Sequence, residues 1–158
     1  MYRVRPVEAN DVSRLVKVWR VTWPATYTAT LGAAAVEAML RDLDENGAAA
    51  LMPEGSRALC LLKETQIVGT AIHSSDGPHV YLWGMYVMPA HQRSGAGTLL
   101  LRAVRDAAND RPIEVRVLQS SLHASRFYEK QGFQTLGEER GDIMPGVEAV
   151  CRVMRQTG

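Results

Sequence analysis

Tyr86-Val87-Met88-Pro89-Ala90-His91-Gln92-Arg93-Ser94-Gly95-Ala96-Gly97-Thr98-Leu99-Leu100-Leu101 reads as the end of a strand, a glycine-rich loop and the start of a helix. The run before it, from Tyr81, is short, apolar and rich in aromatics, as a buried strand requires. Pro89 has no backbone donor and ends that strand. Gly95 and Gly97 frame a tight turn. Leu99, Leu100, Ala103, Val104 and Ala107 then recur on one helical face. The first N–H groups of a helix have no partner within it and carry the positive end of its dipole, so they favour an anion. The stretch is therefore a backbone cradle for phosphate, with Arg93 as an added positive charge.

The spacing excludes two common phosphate loops. Gly95-Ala96-Gly97-Thr98-Leu99-Leu100 lacks the third glycine of the dinucleotide fingerprint, and no Gly-Lys-Ser/Thr follows as in a P-loop. What stands here is Val-x-Pro-x-x-Gln-x-x-Gly-x-Gly, with Val87, Pro89 and Gln92 in place. It resembles the acetyl-CoA motif of the GNAT superfamily of N-acetyltransferases. The resemblance implies that Gln92, Arg93, Ser94, Gly95, Ala96, Gly97 and Thr98 hold the pyrophosphate. It also implies that the backbone of Met85, Tyr86 and Val87 pairs with the pantetheine arm as an added strand.

A second segment, Ser121-Leu122-His123-Ala124-Ser125-Arg126-Phe127-Tyr128-Glu129-Lys130-Gln131-Gly132-Phe133, resembles the second GNAT signature. Ala124, Phe127, Tyr128, Lys130, Gly132 and Phe133 match it. Ser121 stands where that signature has Asn; it keeps a hydrogen-bonding group but a shorter one. By resemblance, Ser121 and Lys130 belong to the cofactor site and Tyr128 is the catalytic residue. Its hydroxyl would stabilise and protonate the thiolate that leaves when an amine attacks the thioester.

An amine like that of lysine has a pKa of about 10.4 and must lose a proton to attack. Two GNAT branches place a Glu for this, at positions that here are Tyr81 and Arg116. Three routes stay open: through water to bulk past Tyr81, through Glu114 or His79, or no turnover at all. An Arg116 facing the acceptor would suit an amine that also carries a carboxylate, although a plain exposed strand arginine explains the residue as well. Trp19 falls on the core spacing of the first helix, and Trp23 and Tyr27, around Pro24, are candidates for lining a cleft. The acidic helix near Glu37 and Asp42 hints at a cationic amine.

The rest of the chain fits one domain over residues 1–158. It has 46% hydrophobic and 22% charged residues and a net charge of +1, which gives no global electrostatic case for nucleic acid or an anionic membrane. No apolar run nears the ~18 residues of a membrane span, and Met1 to Pro6 has no signal-peptide core. Cys60 and Cys151 lie in separate apolar runs, as free thiols of a reducing cytoplasm do. The four histidines show no metal-ligand spacing, so no metal is expected; His91 is expected at solvent or phosphate.

Hydrophobic periodicity and turn residues give the order β-α-α-β-β-β-α-β-α-β-β. A helix is expected to close or kink at Pro24, and Gly141-Asp142 and Pro145-Gly146 to bracket a loop. Ser121 or Ser120 is expected to cap the last helix. The strand–helix–strand unit needs a parallel pair and the hairpins antiparallel ones, so the fold is α/β (α+β) with a mixed central sheet and flanking helices. This is also the GNAT order. The whole implies an acetyl-CoA-dependent N-acetyltransferase, cytoplasmic, acting on a primary amine of a small molecule or peptide by direct attack. The alternative is a non-catalytic acetyl-CoA-binding or regulatory module. The final strands and the Trp-rich segment offer a face for a homodimer.

Overall fold

The computed structural model describes residues 1–144 and 146–157. Seven strands make one sheet: β1 (Tyr2–Pro6), β2 (Arg57–Lys63), β3 (Gln66–Ser74), β4 (Val80–Val87), β5 (Ile113–Leu118), β6 (Gln134–Met144) and β7 (Val147–Gln156). They lie in the order β1-β2-β3-β4-β5-β7-β6. Only β4 and β5 run parallel. The helices are α1 (Val12–Leu31), α2 (Ala33–Asn46), α3 (Ala96–Ala108) and α4 (Leu122–Lys130). The mixed sheet and the element order are those expected from the sequence.

Strand alternation splits the core in two. In β2, Leu61 packs toward Leu100, Val104 and Tyr128, whereas Cys60 and Leu62 pack toward Leu15, Trp19 and Leu43. Helices α3 and α4 thus cover one face and α1 and α2 the other.

Four expectations are corrected. Helix α1 does not close at Pro24, one of the two outcomes expected there, but continues to Leu31. A proline inside a helix costs about 3 kcal/mol through a lost bond and a clash. The carbonyl it orphans belongs to Arg20, which is exposed and can turn to water. Burying Trp19 and Trp23 completely offsets the cost at roughly 1.5–3 kcal/mol each. Trp23 is therefore core, stacked on Trp19 at 6.0 Å, and not a cleft residue. The inward face of α3 is Ala96, Leu100, Leu101, Val104 and Ala108, while Ala107 is exposed. Gly141-Asp142 is not a loop but strand, paired with Ala149 and Glu148; Pro145 lies outside the described residues.

Two irregularities of β4 make room for the site. Its pairing with β5 stops after Val80, Tyr81 and Leu82, so the two strands part from Trp83 and Arg116 onward. On the other edge the register with β3 shifts between Ile72 and His73, which face Gly84 and Leu82, so Trp83 has no partner and bulges. A bulge bends a strand, and this one turns β4 away from β5 where the cleft opens.

Candidate active site

The gap between β4 and β5 is a cleft that passes through the sheet. A groove of 770 Å³ runs between Met85–Val87, the loop after β4 and α4, with Ala25, Thr26 and Thr30 of α1 along its other wall. A cavity of 270 Å³ lies on the α1/α2 side. They meet at Thr26, Met85, Tyr86, Ser121, Ala124 and Tyr128, which line both.

The groove is built for an extended, anionic ligand. Met88 N–H donates to the Val68 carbonyl of β3 at 2.8 Å. Ladder alternation then turns the polar groups of Met85 and Val87 the other way, toward the cleft. Gln92 Nε2 donates to the Val87 carbonyl at 3.0 Å and so pins the loop to the strand. Arg93 (φ 60°) and Gly95 (φ 84°) take left-handed backbone, and α3 starts at Ala96 with no side-chain cap on its first N–H groups. Gly97 is fixed by contact: a Cβ there would stand 3.3 Å from Phe127 Cε1 on α4. Thr98 accepts from Gln131 Nε2 at 3.1 Å, which ties the two helix ends together.

Gln92, Arg93, Gly95, Gly97, Thr98, Ser121 and Lys130 all line the groove. Ala96 is buried beneath the loop. The Ser94 hydroxyl donates back to the His91 carbonyl at 2.5 Å, and neither Ser94 nor Ala96 is among the residues lining the groove. His91, expected at solvent or phosphate, is half-buried, and its Nδ1 shares a hydrogen bond with the Tyr2 hydroxyl, 2.9 Å away, which braces the loop from β1. Ser121 is the residue before α4 but makes no side-chain cap. Arg126 was not anticipated. It joins Arg93 and Lys130 on the groove, and none of the three forms an ion pair among the described residues. Its spacing of four from Lys130 on one helix was the signal.

Tyr128 stands at the junction, buried, with Phe127 and Phe133 edge-on at 5.2 and 5.1 Å. Among the described residues its hydroxyl has no hydrogen-bond partner in the protein. Burial raises the phenol above its ordinary pKa, so it enters a reaction protonated. Beside it, the hydroxyls of Tyr27 and Tyr86 share a hydrogen bond of 2.8 Å on the cavity wall. Burial raises both of these phenols as well.

The positions expected for a base are engaged otherwise. Arg116 donates from Nε and Nη2 to Glu139 at 2.8 and 3.2 Å, and from Nη1 to Glu114 at 2.9 Å. Its guanidinium also lies over the Tyr81 ring, 4.9 Å from the centroid. Glu114 further accepts from Arg155 at 2.6 Å and has His79 at 3.5 Å. Burial pushes the Glu114 carboxyl up, but the bonds from Arg155 and Arg116 outweigh it and hold the group below its usual range. Burial raises the Tyr81 phenol, so Tyr81 keeps its proton. Glu139 and Asp142, from β6, reach the cavity, a contribution no local motif announces.

Residues 27–143 match the family model described as an acetyltransferase (GNAT) domain. No curated protein matches the chain in sequence. Among solved structures, the PaiA N-acetyltransferase of Thermoplasma acidophilum in complex with coenzyme A superposes with a TM-score of 0.81 at 17% identity, over 100% of this chain and 99% of that one. A GCN5-related N-acetyltransferase from Rhodopseudomonas palustris gives 0.83 at 19% identity, over 99% and 95%. Another from Kribbella flavida gives 0.68 at 18% identity, over 99% and 98%. At such identities the structures show a common fold, and the family model shows the family. The chain belongs to the GNAT acetyltransferases and is an acyltransferase.

Proposed function

We propose that the protein transfers an acetyl group from acetyl-CoA to a primary amine by direct attack within a ternary complex. The observation that carries this reading is the through-going cleft: an anion cradle and an unpaired strand edge open on one side, an aromatic cavity on the other, and Tyr128 lies where they meet.

The residues present fit the donor. The N–H groups at the start of α3 suit its pyrophosphate. Arg93, Arg126 and Lys130 offset its charge, and the free edge at Met85 and Val87 suits its pantetheine amides. Bound acetyl-CoA supplies an activated acyl carbon and a thiolate leaving group. Tyr128 holds a phenolic proton at the end of the groove, ready to pass to that sulfur as the carbon–sulfur bond breaks. The new carbon–nitrogen bond leaves the amine with a surplus proton. Among the described residues Glu114 and Glu139 are committed to arginines, and the open cavity, with Asp142 in its lining, favours release of that proton to solvent. Cys60 is buried in the α1/α2 core, and burial raises the thiol of Cys151 on the cavity wall, which leaves it a poor nucleophile for an acyl-enzyme.

A cytoplasmic setting belongs to the same reading, supported by the two free thiols. The test is acetyl-CoA carrying an isotope-labelled acetyl group, incubated with the protein and a set of primary amines. Label in amide linkage to an amine is the expected product; acetyl-CoA bound but unconsumed with every amine would overturn the reading.

A further inference from the structure

Resting on the amine acetylation proposed above, we infer that the acceptor is a compact arylalkylamine: one primary amine on a single aromatic ring, with no acidic group. Three features of the cavity point to that class.

Its outer wall is aromatic and held in place. Trp83 is 43% exposed, an unusual position for so large an apolar ring. It is not loose, because its Nε1 donates to Ser74 Oγ at 2.8 Å. Tyr81 leans against it, with centroids 4.4 Å apart and planes at 56°. The bulge in β4 presents Trp83 at the mouth, where a substrate ring can stack.

The charge at the same wall is closed to anions. The guanidinium of Arg116 is engaged by Glu139 and Glu114 through Nε, Nη1 and Nη2 and lies over Tyr81, and Arg140, the other cation lining the cavity, pairs with Glu148 at 3.1 Å. A carboxylate on the acceptor would have to displace Glu139 and would meet its repulsion. This disfavours the amino-acid acceptor that Arg116 suggested in the sequence. Asp142 lines the same cavity and makes no ion pair among the described residues, so with the exposed ring of Trp83 it can meet an incoming ammonium instead.

The size is that of a small molecule. A volume of 270 Å³ falls just below the usual range for ligand pockets, about 300–1,000 Å³, and suits one ring with a short alkyl arm better than a peptide.

The experiment compares 2-phenylethylamine, phenylalanine and putrescine as acceptors, alongside calorimetry of acetyl-CoA binding. The first keeps ring and amine, the second adds a carboxylate, the third replaces the ring with a second cation. Expected is a kcat/KM for 2-phenylethylamine at least about 10-fold above either other, with Trp83→Ala lowering it about 10-fold, chiefly through KM. Glu139→Ala, which opens the Arg116 fork, is expected to raise phenylalanine relative to 2-phenylethylamine by about 5-fold or more. A preference for phenylalanine or putrescine, or a KM unmoved by Trp83→Ala, would overturn the inference and leave amine acetylation standing. Acetyl-CoA binding with no amine of any class acetylated would overturn both.

Discussion

Tyr128 keeps an uncommitted hydroxyl in a buried setting, which is uncommon for a tyrosine and is what its chemical role requires. Tyr128→Phe keeps the ring that Phe127 and Phe133 pack against and removes only the proton donor. Its kcat is expected to fall about 100-fold, with the calorimetric Kd for acetyl-CoA changed less than about 2-fold. Equal kcat in the variant, under conditions where chemistry limits the rate, would remove Tyr128 from the reaction. This residue was legible in the sequence because its neighbours Ala124, Phe127, Gly132 and Phe133 form one contiguous pattern. Glu139 was not. It closes the fork of Arg116 from a strand 23 residues away, a meeting set by the β5-β7-β6 order. Arg116 read alone left two meanings open, a carboxylate binder or a plain exposed strand arginine; its partners Glu139 and Glu114 speak against the first.

Among the elements, the strand–loop–helix unit carries the donor site, and its two glycines serve different ends. Gly95 supplies a left-handed turn with open space around it, whereas Gly97 is set by the approach of α4. A Cβ at Gly97 would sit 3.3 and 3.4 Å from two carbons of Phe127, so the ring or the helix must give by a few tenths of an ångström. Gly97→Ala is therefore expected to shift the start of α3 and weaken acetyl-CoA binding about 5-fold by calorimetry, with melting changed by only about 2–4 °C. Unchanged affinity would mean that the cradle tolerates displacement of its helix. The loop and the helix after it were legible because glycine, proline and apolar spacing are local signals. The opening of β4 from β5 was not, since it depends on a pairing that stops at Leu82 and a register shift against β3. Pro24 misled for a related reason: its local penalty is real, but the burial of Trp19 and Trp23 decides the length of α1.

For the whole molecule, the sheet holds its first helix through a charged knot at one edge. The Asp11 carboxylate accepts from Arg5 at 2.6 Å, from the Glu8 N–H at 2.8 Å and from Arg14 at 2.5 Å, and its side chain is fully buried. The Arg5 bonds first, then the Glu8 N–H, hold it well below the usual carboxylate range. A carboxyl lowered on folding stabilises the native state above its unfolded pKa of about 3.9 and loses that effect as pH falls through the folded value. Thermal stability is thus expected to vary little for this knot between about pH 5 and 8 and to decline below about pH 4. Asp11→Asn should lower the melting temperature at pH 7 by roughly 5 °C or more and flatten the acid decline. An acid limb identical in the variant would assign it to other groups. The same whole-molecule scale joins the groove to the cavity, and that continuity underlies direct transfer. It is tested most directly in a single turnover with enzyme in excess over acetyl-CoA labelled in the acetyl group, in the presence of 2-phenylethylamine. All label is expected on the amine nitrogen, matched one for one by free CoA, with none on the protein at any quench time. Label held on the protein before it reaches the amine would contradict direct transfer through the cleft.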